Sequence, residues 1–204
     1  MLGLATPRRR VPYTEAGATI HVPVEVWQRS LEVVRLYGTV GSEGLVFWGG
    51  IVTADTIQVT GLYIPAHEPQ GGRVKVTAEE GRWLLRRLKE RDEKLIAQFH
   101  SHGGLAGHSY GDDERAASAH EGFISLVAPY FGRGVKAPKH CGVHEYDGRG
   151  FLRLSEDEVC RRIVVDSLFE ERLPIPIVPV VTEPPKRKSW LRTIASSLKR
   201  KLIG

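Results

Sequence analysis

The spacing of hydrophobic and polar residues divides the first 170 residues into strands and helices. Alternating or continuous apolar runs, which are typical of strands, occupy 19–22, 43–52, 56–64, 95–102, 122–132 and the hairpin 142–154. Helices are predicted at 23–37, 77–95 and 112–120 and in the segment that begins at Ser155. The length of 204 residues suits one such domain with appendages.

The composition changes after residue 170. The segment 173–185 has five prolines in thirteen residues, which favours an extended linker or an edge segment. The final sixteen residues place apolar side chains three and four positions apart among lysines and arginines, as in an amphipathic helix. We therefore divide the chain into a domain at 1–170, a Pro-rich basic linker at 171–188 and a basic amphipathic tail at 189–204.

Two interpretations of this tail remain open. In the first, it packs on the domain or is disordered in isolation, because sixteen residues are marginal for an isolated helix. In the second, it is a reversible anchor that binds an acidic partner or an anionic membrane surface.

Charge and cysteine content narrow the function classes. The net charge is +5, but seven basic and no acidic residues lie at 184–204, so the rest of the chain carries −2. A nucleic-acid-binding surface across the domain is therefore not indicated. Cys141 and Cys160 provide neither a disulfide framework nor a CxxC zinc site, and we expect both to be small core residues. The lack of a disulfide framework favours a reducing cytoplasm. No apolar run reaches eighteen residues, so the sequence predicts no transmembrane helix.

The segment 98–114, QFHSHGGLAGHSYGDDE, combines three histidines with a serine and adjacent aspartates. His100 and His102 are two positions apart on a predicted strand, so their imidazoles point to the same face. After a Gly-rich loop, an aspartate at the start of the next helix can supply a carboxylate oxygen. Two imidazoles, one carboxylate and a fourth position for water are the pattern of a catalytic zinc site.

Each part of this pattern also has an ordinary structural interpretation. An HxH pair is common in proteins that bind no metal. Ser109 and Asp112 have the spacing of a helix capping box. We expect His108 to be an exposed loop residue. Glu43, at the start of a strongly apolar strand, is either exposed to solvent or positioned to act as a base at the metal site.

The combination resembles the JAMM signature of JAB/MPN-domain metalloproteases over about residues 13–168. The matching positions are Glu43, His100-Ser101-His102 and Ser109-Tyr110-Gly111-Asp112. The resemblance implies a single mixed α/β domain, with a curved mixed sheet flanked by helices in layers similar to those of cytidine deaminases. It also implies that both histidines and the aspartate hold Zn²⁺, that Glu43 is the general base and that Ser109 stabilises the oxyanion.

The sequence departs from the family pattern in two ways. Gly103 follows the second histidine, where the family usually has proline. The usual separation of ten residues from His102 selects Asp113 as the ligand, whereas the S-x-x-D spacing selects Asp112. We favour Asp112, because a Gly-rich loop can lose one residue easily, whereas a one-residue shift on a helix rotates the carboxylate by about 100°.

The resemblance further implies cleavage after the C-terminal tail of a ubiquitin-like protein, either in deconjugation or in precursor processing. Bacterial members with this compact domain occur in antiphage conjugation systems, where E1-like and E2-like enzymes are further candidate partners. A processing peptidase for small sulfur-carrier proteins and a non-catalytic MPN scaffold are the alternatives. A nucleoside deaminase is discounted because the chain lacks both H-x-E and P-C-x-x-C.

Overall fold

The computed structural model describes residues 17–53, 56–66, 76–109, 111–112, 116–166 and 177–179. Within these ranges the α-helices are α1 (Val24–Gly38), α2 (Ala78–Glu90) and α3 (Glu156–Arg162). The strands are β1 (Thr19–Pro23), β2 (Leu45–Val52), β3 (Thr56–Ile64), β4 (Lys94–Ser101), β5 (Ile124–Ala128), β6 (Gly142–Tyr146), β7 (Phe151–Arg153), β8 (Ile163–Asp166) and β9 (Ile177–Pro179). Two 3₁₀ turns, Pro129–Gly132 and Pro138–His140, separate β5 from β6.

The strands form one mixed sheet in the order β7-β6-β5-β4-β2-β3-β1-β8, and β9 pairs in parallel with the end of β3. Strand β4 lies in the interior of the sheet, antiparallel to β2 and parallel to β5. Because both of its edges are hydrogen-bonded, β4 provides a rigid support for the side chains at its C-terminal end.

Each face of the sheet carries a hydrophobic core under one long helix. On one face, α1 inserts Trp27, whose ring lies 5.5 Å from Phe99 and 6.4 Å from Trp48 between centroids. On the other face, Leu84 and Leu88 of α2 pack in a smaller cluster with residues of β2, β3 and β4. The molecule is therefore a mixed α/β domain with a curled sheet flanked by helices, as the resemblance implied.

The helix starts predicted at 77 and 155 are confirmed. Each helix begins with a reciprocal capping box, formed by Thr77 and Glu80 at α2 and by Ser155 and Glu158 at α3. Helix α2 ends at Glu90, earlier than predicted, because Asp92 adopts a left-handed backbone (φ 53°) and β4 begins at Lys94.

Other local predictions are wrong. The helix predicted at 112–120 is wrong in its extent: residues 111–112 are helical, but residues 116–120 are not, and there the backbone N–H of Ala117 donates to the side chain of Gln98. The strand predicted at 122–132 ends at Ala128, because Pro129 begins a 3₁₀ turn.

Part of the predicted linker, residues 177–179, is strand β9. The rest of the linker, the tail at 189–204 and residues 1–16 lie outside the described residues. No helix in the described ranges is both long enough and apolar enough to cross a membrane.

Candidate metal centre

Three potential metal ligands converge at the C-terminal end of β4. His100 is buried near the end of the strand, and His102 follows on the same face of the sheet. The loop beyond them returns Asp112, whose Oδ1 lies 3.5 Å from Nε2 of His100 and whose Oδ2 lies 3.4 Å from Nε2 of His102. The ligand atoms of all three residues lie within 4.8 Å of one another.

These distances suit an ion better than direct hydrogen bonds. Two ligands at 2.0–2.1 Å from a tetrahedral ion are separated by about 3.3 Å, close to both His–Asp distances. A good N–H···O hydrogen bond is shorter, at about 2.9–3.0 Å. Nε2 of His100 is buried and has no hydrogen-bond partner among the described residues. Because a buried polar atom is costly to leave unsatisfied, this nitrogen fits a metal ligand.

The electrostatics of the three residues favour the protonation states that bind a metal. Burial lowers the pKa of His100, which favours the neutral imidazole. Burial acts to raise the pKa of the Asp112 carboxyl, but the two imidazoles and the backbone N–H of Ser109 hold it well below its usual range. The Asp112 carboxylate raises the pKa of His102, so a metal would compete with a proton there.

Asp112 is oriented by the chain just before it. The backbone N–H of Ser109 donates to Oδ2 of Asp112 at 2.6 Å, and the N–H of Asp112 donates to the carbonyl of Ser109 at 2.9 Å. These two bonds close a turn over the S-x-x-D segment, in which the Asp112 carboxylate also faces the two imidazoles. Asp113 lies outside the described residues, so the preference for Asp112 over Asp113 stays a prediction.

A turn with a strained backbone is hydrogen-bonded to the main chain of His102. Tyr130 and Phe131, just after β5, both adopt left-handed backbone conformations, with φ of 49° and 56°. The N–H of Phe131 donates to the carbonyl of His102, and the N–H of Tyr130 donates to the carbonyl of Gly104. A Cβ at Gly103 would lie 2.9 Å from the Phe131 ring. The ring thus occupies space that the proline usual in the family would need.

Strand pairing brings Glu43 to the same end of the sheet. Leu45 pairs with His100, and the N–H of Ser101 donates to the carbonyl of Gly44. The ladder ends there, and Glu43, two residues before β2, is next to Gly44 at this end of the sheet. Glu43 is half-buried, and its charge contributes to the raised pKa of His102.

The other two predicted residues of the loop differ in environment. Ser109 is exposed, and its backbone N–H contacts the Asp112 carboxylate. The prediction that His108 is exposed is wrong: it is half-buried, and its ring stacks on that of His144 at a centroid distance of 4.6 Å. Its Nε2 lies 3.0 Å from Oγ of Ser125. The stacking partner is 36 positions away in the chain, so no local sequence pattern indicates this contact.

Sequence reasoning also missed the polar side chains beneath the loop, Gln98 and Ser125. Both are buried and hydrogen-bonded to each other at 3.0 Å. A signal existed, because Gln98 is two residues before His100 on the same strand face, and Ser125 is a lone polar residue in an apolar strand.

Fold and site together define a mixed α/β protein with a His-His-Asp group able to hold a metal ion at the end of an interior strand. The chain is 34% identical over 120 residues to the probable metalloprotease y4jG of Sinorhizobium fredii (strain NBRC 101917 / NGR234), covering 57% of this chain and 74% of the relative. The chain belongs to the family of that protein, and the relationship and the His-His-Asp group together support a metal-dependent peptidase.

Solved structures support the fold alone. The solution structure of protein DSY2949 from Desulfitobacterium hafniense superposes with a TM-score of 0.55 at 15% identity, covering 72% of this chain and 93% of that one. No protein-family model matches the chain.

Proposed function

We propose that this chain is a zinc-dependent peptidase of the JAB/MPN type, with His100, His102 and Asp112 as metal ligands. The observation that carries the proposal is the convergence of these three side chains, with His–Asp distances of 3.5 and 3.4 Å, beside a half-buried carboxylate at Glu43. Two histidines and one carboxylate leave a coordination position open, which distinguishes a catalytic zinc site from a structural one.

Zinc, when bound, lowers the pKa of water to about 7 and polarises the scissile carbonyl. Glu43, at the same end of the sheet as His102, accepts a proton from the attacking water and passes it to the leaving amine. Ser109 donates a hydrogen bond to the carbonyl oxygen as negative charge develops on it. The mechanism needs neither thiol. Cys141 is buried as expected, and burial raises its pKa to about 12, which keeps that thiol protonated and unreactive. The expectation that Cys160 is a core residue is wrong, because it is exposed.

We further propose that the substrate is the C-terminal tail of a ubiquitin-like protein, joined to a lysine side chain or to a short extension. The support is the JAMM-like arrangement of Glu43, HxH and S-x-x-D. We also propose a role in antiphage conjugation, with E1-like and E2-like enzymes as partners. The tail at 189–204 would bind an acidic partner or an anionic membrane surface.

The test compares the full-length wild type with Glu43→Gln and with Glu79→Gln, a matched change on the exposed face of α2. The substrate is a ubiquitin-like protein with a C-terminal reporter, cleaved in the presence of zinc or a chelator. We expect Glu43→Gln to retain stoichiometric zinc and lose about 10²–10⁴-fold in kcat, and Glu79→Gln to retain wild-type kcat.

Three results would count against the proposal. Near-normal kcat for Glu43→Gln would exclude it as the base, and full activity in chelator would exclude metal catalysis. Equal cleavage of the same tail fused to an unrelated folded domain would exclude recognition of a ubiquitin-like protein.

A further inference from the structure

A row of polar side chains crosses the sheet beneath the loop that carries Asp112. Gln98 of β4 pairs with Ser125 of β5, and Ser125 pairs with His144 of β6. All three residues are at least 95% buried. Directly paired residues on neighbouring strands point to the same face, and Gln98 shares its face with His100. The row therefore lies on the metal side of the sheet.

The loop is attached to this row before Asp112. Nε2 of His108 lies 3.0 Å from Oγ of Ser125, and the His108 ring stacks on His144 at 4.6 Å with an interplanar angle of 25°. Phe151 of β7 packs against the same ring at 4.8 Å. His108 is thus held by both a hydrogen bond and ring packing, four residues ahead of the ligand.

The chain is attached to the same row again after Asp112. The backbone N–H of Ala117 donates to Oε1 of Gln98 at 3.0 Å. Because a backbone N–H can only donate, this bond fixes the orientation of the Gln98 amide and directs its Nε2 to Oγ of Ser125, at 3.0 Å. The hydroxyl of Ser125 thereby connects both attachments, through Gln98 on one side and His108 on the other.

We propose that Gln98 and Ser125 are positioning residues that clamp the loop on both sides of Asp112 and so fix the carboxylate at metal-binding distance from the two histidines. This inference rests on the proposed metal site. His100 and His102 are held by the sheet, whereas Asp112 lies outside the sheet, at two helical residues (111–112) in the connection between β4 and β5. A ligand carried by such a connection must be ordered before it contributes full affinity. Gln98 on β4, the strand that carries His100, and Ser125 on the neighbouring strand β5 supply that order.

The experiment measures zinc affinity of the full chain by competition with a chromophoric chelator, with cobalt(II) absorption as a report of coordination geometry. Ser125→Ala removes the shared hydroxyl. Gln98→Met removes both hydrogen bonds of the side-chain amide while keeping an unbranched side chain. We expect each to weaken zinc binding about 10–100-fold, as for other groups that orient metal ligands, and to alter the cobalt spectrum. His108→Phe keeps the ring packing and loses one hydrogen bond, so its zinc affinity should fall by a smaller factor.

Ser30→Ala is the matched control for loss of a buried hydroxyl. Ser30 is on the buried side of α1, which covers the opposite face of the sheet, and its Oγ accepts from Trp48 at 2.9 Å and donates to the carbonyl of Val26 at 2.7 Å. We expect its unfolding midpoint to fall like that of Ser125→Ala while its zinc affinity stays at the wild-type value. His108→Phe, on the loop, serves as the test if the buried variants do not fold.

The outcomes separate this inference from the proposed function. Wild type that binds no zinc overturns the metal site and the clamp together. Wild type that binds zinc, with Ser125→Ala, Gln98→Met and His108→Phe all within about twofold of it, overturns the clamp alone. An equal loss in Ser30→Ala would also overturn the clamp, because the effect would then be one of general stability.

Discussion

The two ends of β4 each hold a shielded carboxylate, and the two carboxylates differ in how fully they are satisfied. At the N-terminal end, the side chain of Glu93 is 2% exposed. Its Oε2 accepts from Tyr63 at 2.6 Å, and its Oε1 accepts from Thr60 at 3.0 Å and from Arg91 at 2.9 Å. At the C-terminal end, the side chain of Asp112 is 18% exposed and lies 3.4–3.5 Å from two imidazoles.

This difference separates a structural charge from a candidate site. Both oxygens of Glu93 have donors at hydrogen-bonding distance, so the cluster is complete without any further group. Nε2 of His100 is buried without a hydrogen-bond partner among the described residues, and its spacing from Asp112 matches the edge of a metal tetrahedron. Burial of charge alone would not have distinguished the two ends.

The largest expected effect is that a substitution at one end of β4 lowers turnover, whereas a substitution at the other end lowers stability. His100→Ala removes a proposed metal ligand, and we expect turnover to fall on the order of 10³-fold or more, because several kcal/mol of transition-state stabilisation are lost. Glu93→Gln weakens hydrogen bonds to a buried charge, and we expect unfolding free energy to fall by about 2 kcal/mol with kcat unchanged in the folded protein.

Denaturant unfolding and single-turnover kinetics on both variants check this prediction. Zinc content measured on the same samples distinguishes loss of the ligand from loss of the fold. The comparison would be wrong if Glu93→Gln lost turnover while remaining folded, or if His100→Ala remained active.

The sequence predicted most of the element order and the residue types of the site, because these depend on local signals. The HxH pair needs only strand alternation, and the starts of α2 and α3 need only a hydroxyl residue, Thr77 or Ser155, ahead of a helical pattern. The proximity of the Glu43 charge to His102 depends instead on the register of β2 against β4. The sequence proposed this proximity only through the family resemblance, because register is set by tertiary pairing.

The errors concentrate in the loop between β4 and β5 and at its support. Residues 116–120 have helix-forming alanines, but the tertiary bond from Ala117 to Gln98 replaces the helical one. His108 was expected at the surface because its partners, Ser125 and His144, are on strands 17 and 36 positions away. Side chains that bind across the sheet leave no periodic pattern in one sequence.

A second way to sharpen the comparison uses alkaline pH. Burial, together with the adjacent Glu93 carboxylate, raises the pKa of Tyr63 well above its usual value near 10. A raised folded-state pKa gives stability that is fully present below about pH 10 and is lost as pH rises above it, by up to about 1.4 kcal/mol per pH unit. Above pH 10, wild type should therefore lose stability more steeply than Tyr63→Phe.

Denaturant unfolding of both proteins at pH 8, 9.5, 10.5 and 11 measures the two slopes. Tyr37 and Cys141, whose pKa values burial raises to about 12, contribute equally to both proteins, so the difference in slope isolates Tyr63. His100→Ala, at the opposite end of β4, should retain the wild-type slope. Identical slopes for wild type and Tyr63→Phe would show that burial beside Glu93 does not raise the pKa of Tyr63.

The smallest expected effect tests how tightly the metal end is packed. A Cβ at Gly103 would lie 2.9 Å from Cζ of Phe131. The ring cannot withdraw freely, because the Phe131 N–H is bonded to the carbonyl of His102 and the ring base packs against Gly38. Gly103→Ala should therefore lower the unfolding free energy by about 1 kcal/mol through overpacking.

Phe131→Leu removes the outer ring atom that the new methyl group would meet. In a double-mutant cycle followed by denaturant unfolding, Gly103→Ala should cost about 1 kcal/mol less in the Phe131→Leu background than in wild type. Gly134→Ala is a poor control because its φ of 76° is itself strained for alanine, whereas Gly104→Ala has open space around the built Cβ and no positive φ. Additive costs in the cycle would show that something other than the Phe131 ring excludes a side chain after His102.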